Sequence, residues 1–319
     1  MGRLAFLVGR RVGSLMLTLV AVSALIFLVM DVLPGDPAAA MLGTSASEET
    51  LAALRHAMGL DLPLIVRYGR WIGGFLSGDL GTSLTYGVPV AGLIAERLAV
   101  TLPLAVLAMT LSVALALPLG VVAATRKGGL ADRLATLFAQ LSVAVPGFWV
   151  GLLLIAGLAV GLGLMPAGGF PGWNAGVCAA LKALVLPTVA LALPQAGVLT
   201  RVTRAAVLEV MDEDFVRTAR AKGLTRRAAL WHHVVPNALP PVITIAGLQF
   251  TFLIAGAVLI ENVFALPGLG RLAFQALSQR DILVIGDVVL LLAALTIAVN
   301  FLIDLGYLVL DPRLRAATS

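Results

Sequence analysis

The sequence predicts an all-α polytopic membrane protein with six transmembrane helices and a small external insert after the first helix. The 319-residue chain is 60% hydrophobic and only 12% charged, with a mean hydropathy of +1.03. Soluble domains are about half apolar and about a quarter charged. Six apolar runs are each long enough to cross a hydrocarbon core of about 30 Å at about 1.5 Å per helical residue. Basic residues also concentrate in alternate loops between these runs, which is typical of membrane proteins.

Each apolar run is expected to form a helix, because lipid offers no partner to unpaired backbone groups. A signal peptide is the alternative for the first run, but its apolar core would be about 7–15 residues long. The first run is longer, so we interpret residues 1–31 as a retained transmembrane helix. Four prolines inside later runs predict bends: Pro118, Pro146, Pro187 and Pro194. The six runs are 12–30, 98–124, 134–162, 184–207, 238–260 and 282–310.

Residues 32–97 differ from the rest of the chain, because they hold most of its loop signals and no apolar run of membrane length. A capping box in residues 45–48 predicts a short helix that stops at Gly59. Pro63 predicts the start of a second helix that runs to about Leu76. This segment is therefore expected to be a small folded insert rather than a linker.

The distribution of basic residues predicts the orientation of the chain. With the N-terminus inside, 15 of the 22 Lys and Arg residues fall on the inner side and 7 on the outer side. The positive-inside rule then places both termini in the cytoplasm of a bacterial or archaeal cell and the insert outside its inner membrane. Residues 98–310 form a five-helix transmembrane domain with a cytoplasmic loop at 212–237, followed by a cytoplasmic tail at 311–319.

Composition also argues against several other classes of protein. The pI near 10 reflects loop residues of a membrane protein, so lipid is expected as a partner and nucleic acid is not. Cys178 is the single cysteine, and His232 and His233 cannot share one helical face, so we expect no metal site. No lysine follows a glycine, so a phosphate-binding loop is not expected. We therefore expect no cofactor in this chain and no ATPase or other enzyme activity of its own.

The loop at 212–237 carries the clearest local signals. Asp212 is expected to cap a first short helix that stops at Gly223, the natural left-handed residue after a helix. Thr225 is expected to cap a second short helix that ends before Pro236. The pattern predicts two short helices with a fixed bend.

The surface of this loop is basic and rich in small residues, and two interpretations fit it. It suits docking into a groove on a partner protein, and it also suits an amphipathic hairpin lying on anionic lipid. The residues on which the docking interpretation depends are Arg217, Ala219, Arg220 and Lys222.

The order of residues in the loop resembles the segment by which permeases of ATP-binding-cassette (ABC) importers engage their ATPases. That family has Glu-Ala-Ala, a glycine four residues after the second alanine, and a hydrophobic-proline pair ending thirteen residues after the glycine. Arg217 and Thr218 replace the first two of these residues, as is usual in the peptide/nickel branch. The resemblance implies coupling to an ATPase through Arg217, Thr218, Ala219, Arg220, Ala221, Lys222, Gly223, Val235, Pro236 and Asn237.

Further motifs resemble the same branch along nearly the whole chain. They imply a type I importer fold, and they are most similar to B-type permeases of dipeptide, oligopeptide, nickel and glutathione importers. The resemblance implies a heterodimer with a C-type permease, two cytoplasmic ATPases that bind the ATP, and an external solute-binding protein. The motifs are LPGDPA at 33–38, MGLDLPL at 58–64, GDLGTS at 78–83, VPGFW at 145–149, FALPGLG at 264–270, RD at 280–281 and DPR at 311–313.

Asp304 is the remaining residue of interest, since a charge inside a span is costly unless it is paired. A structural clamp with Arg201 or Arg204 and a role in gating are both compatible with its position. A stand-alone ion-coupled carrier is the alternative function, but it would need acidic residues or histidines at mid-depth in the spans, and spans two to five contain none. The residues that touch the solute are not predicted.

Overall fold

The computed structural model describes the backbone of residues 2–32, 38–39 and 47–310, and their side chains except at 2–8, 57 and 304–310. The regular elements of this part of the chain are all helices, apart from one isolated β-bridge between Thr82 and Pro89. The all-α prediction is therefore confirmed. The tail at 311–319 and the LPGDP motif at 33–37 lie outside the described residues.

The helices are numbered here in chain order. Their bounds are α1 Gly2–Val32, α2 Glu48–Ala57, α3 Leu64–Ser77, α4 Val90–Thr125, α5 Leu130–Ala144, α6 Gly147–Leu154 with a π-helical continuation Ile155–Gly161, α7 Val177–Met211, α8 Asp214–Ala221, α9 Arg226–Ala229, α10 Val235–Val263, α11 Leu269–Gln279 and α12 Ile282–Leu310.

Five helical segments of the described chain are long and apolar enough to cross a membrane. A sixth span exists if α5 and α6 are counted together, but they are bent by 98° at the break between them. The bend expected at Pro146 within the 134–162 run is therefore confirmed, and it is sharp enough to divide the run into two helices. The break falls at Val145 and Pro146, because the residue before a proline avoids helical geometry and Val145 is extended, with φ −92° and ψ 123°.

The insert after α1 contains the two expected helices, with one change in capping. The N-cap of α2 is Ser47, whose hydroxyl accepts from the amide of Thr50 at 3.2 Å, and not Ser45, which lies outside the described residues. The chain leaves the α2 region through Gly59, and α3 ends at Gly78, both with positive φ. Local capping chemistry therefore predicted these helices to within a few residues.

The described chain divides into two compact units, of which the first comprises residues up to 101 together with 267–298. One apolar cluster of this unit joins the start of α4 to α11 and α12, through Val90, Leu272 and Val284. A second contact joins α1 to α3, where Phe27 packs edge-on against Tyr68 with ring centroids 5.5 Å apart.

Two buried carboxylates, one just before α12 and one in its first turns, anchor α3 and the turn that follows it. Asp281 accepts hydrogen bonds from the hydroxyl of Ser83 at 2.5 Å and the amide of Thr85 at 3.1 Å, which fixes the turn between α3 and α4. Asp287 accepts from the indole N–H of Trp71 at 2.8 Å, which ties α3 to α12.

The second unit comprises residues 102–266 and the chain from 299. Helix α7 lies at its centre and packs against α5, α6 and α10. Close approach depends on Gly197, where an added Cβ would lie 2.8 Å from the carbonyl oxygen of Ala139. Near the end of α7, Leu199, Ala206 and Val207 form an apolar cluster with the second half of α4 and the start of α10. The 212–237 loop is built onto this cluster.

Candidate functional site

The first helix of the loop, α8, ends in a Schellman motif. The amide of Gly223 donates to the carbonyl of Arg220 at 3.0 Å, and the amide of Leu224 reaches back to the carbonyl of Ala219 at 3.3 Å. Gly223 has a φ of +99°, which residues with a Cβ rarely adopt. The chain reversal expected at Gly223 is therefore confirmed.

The start of α8 differs from the expectation. Glu213 occupies the N-cap position with extended geometry, φ −70° and ψ 145°, and its side chain makes no capping bond. Asp212, expected to be the N-cap, instead ends α7 in near-helical geometry. The expected and observed N-caps differ by one residue. The sequence did not distinguish them, because Asp212 and Glu213 are both acidic and either suits the positive end of a helix.

The second helix begins as expected and then continues further than expected. Thr225 caps α9 by accepting from the amide of Ala228 at 3.2 Å. A π-helical turn over Leu230–Val234 then joins α9 to α10, so the predicted helix end before Pro236 is wrong. The α-helical ladder restarts at Val235, which places Pro236 in a first turn, where its missing N–H is not needed.

The inner face of α8 faces the rest of the second unit. It contains Val216 and Ala219, which are both buried. Val216 joins the apolar cluster together with Val234, while Val235 packs against it and Asn237 donates to the carbonyl of His233 at 2.6 Å. The expectation that Ala219 lies on a docking surface is wrong. Its side chain supports the helix from beneath, because it lies three residues after Val216 on the same helical face.

The opposite face of α8 is exposed and strongly basic. Arg217 makes a single 3.4 Å contact with Asp214, and both side chains are largely exposed, so this pair holds neither residue firmly. A shallow hollow between α8 and α9 is lined by Arg217, Arg220, Ala221, Leu224 and Arg226. With the exposed side chains of Thr218, Lys222 and Arg227, this surface forms the basic face of the loop.

A partly buried ion pair that the sequence interpretation did not identify lies close to the loop. Arg204 of α7 binds Asp132 of α5 through two hydrogen bonds of 2.6 and 2.9 Å, and Asp132 also accepts from the amide of Gly128 at 2.9 Å. The bidentate geometry holds the 126–130 turn against α7. The two residues are 72 positions apart, so no local pattern connects them.

This pair changes the interpretation of the proposed intramembrane clamp. The guanidinium of Arg204 already forms two hydrogen bonds with Asp132. The side chain of Asp304 lies outside the described residues, and Arg201 is exposed. A clamp or gating role for Asp304, with Arg201 or Arg204, stays a prediction.

A second buried polar contact in the same unit was also missed. The side-chain amide of Gln249 donates to the carbonyl oxygen of Gln195 at 2.6 Å, which joins α7 to α10. Both glutamines are buried. Within the described residues no group of three His, Cys, Asp or Glu side chains is placed to hold a metal ion.

The membrane-spanning helical fold and the capped loop define an importer permease. The family described as binding-protein-dependent transport system inner membrane component matches residues 116–316, and the N-terminal component of the same systems matches residues 3–105. The chain belongs to this family.

Curated relatives match over nearly the whole chain. It is 40% identical over 306 residues to a probable peptide ABC transporter permease protein, y4tP, of Sinorhizobium fredii, covering 96% of this chain and 98% of the relative. It is 37% identical to the glutathione transport system permease protein GsiC of Salmonella paratyphi A, covering 96% and 97%.

Solved structures support the same fold at lower identity. An inward-facing structure of the MetNI methionine ABC transporter matches with a TM-score of 0.55 and 20% identity, covering 69% of this chain and 96% of that chain. A structure of an amino acid ABC transporter with histidines gives a TM-score of 0.52, covering 67% and 92%. The type I importer fold is confirmed, and this multi-pass inner-membrane protein is an ABC importer permease rather than a stand-alone ion-coupled carrier.

Proposed function

We propose that this chain forms half of the translocation pathway of an importer for short peptides or related small solutes, including glutathione and chelated nickel. The family and the peptide and glutathione permeases among its relatives support the solute class. The remaining subunits are a C-type permease, two ATPases that bind and hydrolyse the ATP, and an external solute-binding protein. The chain binds no nucleotide and catalyses no reaction itself.

The observation that carries the coupling assignment is the construction of the 212–237 loop. Its bend is set by Gly223 and Thr225, its inner face packs through Val216 and Ala219, and its basic face is exposed. A rigid, exposed protrusion suits a groove on an ATPase, because its shape is fixed before docking. Movement of the ATPases would then be transmitted to α10 through α9.

The orientation that coupling requires has both termini and the 212–237 loop in the cytoplasm, with the insert outside. The excess of basic residues on one side supports it. An alkaline phosphatase fusion at position 80 should be active and one at position 225 inactive. The reverse pattern of activity would refute this topology.

The test of coupling compares two glycines that end helices with positive φ and have open space around an added Cβ: Gly223 and Gly78. Gly223→Val and Gly78→Val introduce similar backbone strain of about 1 kcal/mol or more. We expect both variants to insert normally, and only Gly223→Val to lose transport and to release the ATPases or uncouple their hydrolysis from solute. Wild-type transport and full ATPase retention by Gly223→Val would contradict the assignment.

Ala219→Glu provides a second test through a different contact. Because Ala219 is buried under α8, a carboxylate there should lift the helix from the unit and reduce ATPase retention. Thr218→Glu adds the same charge on the exposed basic face, where it should also weaken docking but should leave the packing of α8 unchanged, as hydrogen exchange of α8 can show. A loop that only lies on lipid would keep its ATPases in both variants.

Solute and ATP dependence require two direct measurements. Import should be assayed with dipeptides, oligopeptides, glutathione and chelated nickel in the assembled transporter. The purified chain, shown by mass spectrometry to be free of other proteins, should hydrolyse no ATP above a control without protein. Turnover above that control would refute the assignment of ATP hydrolysis to partner subunits.

A further inference from the structure

The first unit contains a cavity of about 560 Å³, which lies apart in sequence from the 212–237 loop. Its walls come from α1, α2, α3, α12 and the turn after α3. The volume falls in the range of about 300–1,000 Å³ that small-molecule sites occupy. Apolar side chains such as Met30 and Leu283 share the wall with charged ones, as in sites that bind an amphipathic ligand.

One carboxylate on the cavity wall is buried and only half satisfied. The side chain of Asp287 belongs to a residue that is 1% exposed, and its Oδ1 accepts the 2.8 Å hydrogen bond from Trp71. Its Oδ2 is buried with no hydrogen-bond partner. Three arginines line the same cavity, but none of them comes within hydrogen-bonding distance of this oxygen.

The other carboxylates nearby are engaged by the protein itself. Asp31 binds Arg67 at 2.6 Å, Asp79 accepts from the amide of Gly81 at 3.3 Å, and Asp281 accepts from Ser83 and Thr85. Asp287 therefore differs from its neighbours in having a carboxylate oxygen that is both buried and without a hydrogen-bond partner. A carboxylate in a membrane helix is costly without a partner, and such residues commonly mark a functional site.

The surroundings of Asp287 indicate which kind of partner would complete it. The missing group is a hydrogen-bond donor, and a cationic donor gives the strongest bond to a carboxylate. The aromatic rings of Trp71 and Phe27 also line the cavity, and aromatic rings attract cations, as the Arg67 guanidinium lying 5.8 Å from the centroid of the Phe27 ring shows.

We propose that this cavity binds an ammonium-bearing small molecule, with the apolar part lying against Met30 and Leu283 and the ammonium group donating to the carboxylate of Asp287, which rotates to turn its unpaired oxygen toward the cavity. Two sources supply this chemistry: the headgroup of an ethanolamine phospholipid and the free N-terminus of a short peptide. The proposal does not depend on the coupling role of the 212–237 loop.

The test uses the full chain in detergent, with two matched pairs of probes. Phosphatidylethanolamine is compared with its N-acetylated form of the same acyl chains, and a dipeptide is compared with the N-acetylated dipeptide. Lipid binding is measured by native mass spectrometry. Dipeptide binding is measured by the fluorescence of Trp71 after the other three tryptophans, Trp149, Trp173 and Trp231, are changed to phenylalanine.

Asp287→Asn keeps the shape of the side chain and an acceptor for Trp71, so the unit should still fold. Asp79→Asn is the matched control, because it removes an exposed carboxylate from the same cavity wall. We expect Asp287→Asn to weaken binding of the ammonium probe by about tenfold or more, and Asp79→Asn to change it little. N-acetylation should weaken binding to the wild-type chain by a similar factor and have little further effect in Asp287→Asn.

The outcome distinguishes the two sources and can also reject the site. If N-acetylation weakens binding only of the lipid, the ligand is a phospholipid headgroup. If it weakens binding only of the dipeptide, the ligand is a soluble amine. If neither probe depends on its ammonium group, or if Asp287→Asn binds as the wild type does while its circular dichroism is unchanged, the proposal is wrong.

Discussion

The 212–237 loop and the turn between α3 and α4 are both short excursions from long helices, but they are held in different ways. The bends of the loop are fixed by hydrogen bonds between residues at most five positions apart, at Gly223 and Thr225. The turn is fixed by Asp281, which lies 198 positions from Ser83 and 196 from Thr85. The loop therefore keeps its own bend when it moves, whereas the turn keeps its shape only while α12 stays in place.

The largest expected effect breaks the long-range anchor. Asp281→Ala removes the charged acceptor of the buried Ser83 hydroxyl and of the Thr85 amide, at a cost of about 3 kcal/mol. Hydrogen exchange should speed up across residues 79–89 and stay unchanged across 214–234. Ser83→Ala removes only one of the bonds and should cost about 1 kcal/mol. Equal protection of the turn in wild type and Asp281→Ala would show that the anchor is unnecessary.

A somewhat smaller effect is expected at the ion pair beside the loop. Arg204→Met leaves the Asp132 carboxylate without its charged partner and should destabilise the second unit by about 2 kcal/mol, less than for a fully buried pair because Arg204 is 30% exposed. The neutral double variant Arg204→Met with Asp132→Asn should recover part of the loss in a thermal melt. A double variant that melts below Arg204→Met would contradict this account.

Two N-cap residues, one in the 212–237 loop and one in the insert, allow the same substitution to be compared in both regions. Thr225→Ala in the loop and Ser47→Ala before α2 each remove one side-chain cap, at a cost of about 1 kcal/mol to the helix that follows. Hydrogen exchange should detect each loss only in its own helix. Only Thr225→Ala should reduce retention of the ATPases, and loss of retention in both variants would indicate a global effect instead.

The smallest effect is expected on the surface of the insert. His56 contacts the Asp61 carboxylate at 2.6 Å, and this hydrogen bond lowers the pKa of Asp61 below its ordinary value of 3.8. The associated stabilisation is present above that ordinary pKa and disappears as the pH falls through the lowered one. His56→Ala should raise the pKa of Asp61 in an NMR titration, and an unchanged pKa would show that the contact does not persist in solution.

Much of the fold was predictable because its signals are local. The helix ends at Gly59 and Gly223 follow from the freedom of glycine at positive φ, and the cap at Thr225 follows from the reach of its hydroxyl. A continuous apolar run is likewise sufficient to predict a membrane helix. These assignments need no knowledge of what the helix packs against.

The effect of each proline was not predictable from the run that contains it. Pro118, Pro187 and Pro194 lie inside unbroken helices, whereas the helix breaks at Pro146. Packing decides between these outcomes. After the break, Gly147 and Gly151 place α6 against Ala190 of α7, where an added Cβ would make close contacts.

The polar anchors were missed for a different reason. Asp132 and Arg204, or Gln195 and Gln249, are ordinary residues within their own segments, and only the fold brings them together. The inward position of Ala219 was missed because a short helix with basic residues on most sides does not indicate which face is buried. The bend of the loop was predictable because the backbone of Gly223 and the hydroxyl of Thr225 fix it locally.

The π-helical turn before Pro236 has a mechanical consequence. It makes residues 226–263 one helix of 38 residues, about 57 Å long at 1.5 Å per residue. A continuous rod of that length acts as a lever that pivots at its Arg226 end. Pivoting it by about 10° would displace the far end by roughly 10 Å for the same rise per residue. A small tilt imposed beside the basic face would thus reach the opposite membrane surface without any change in the helix itself.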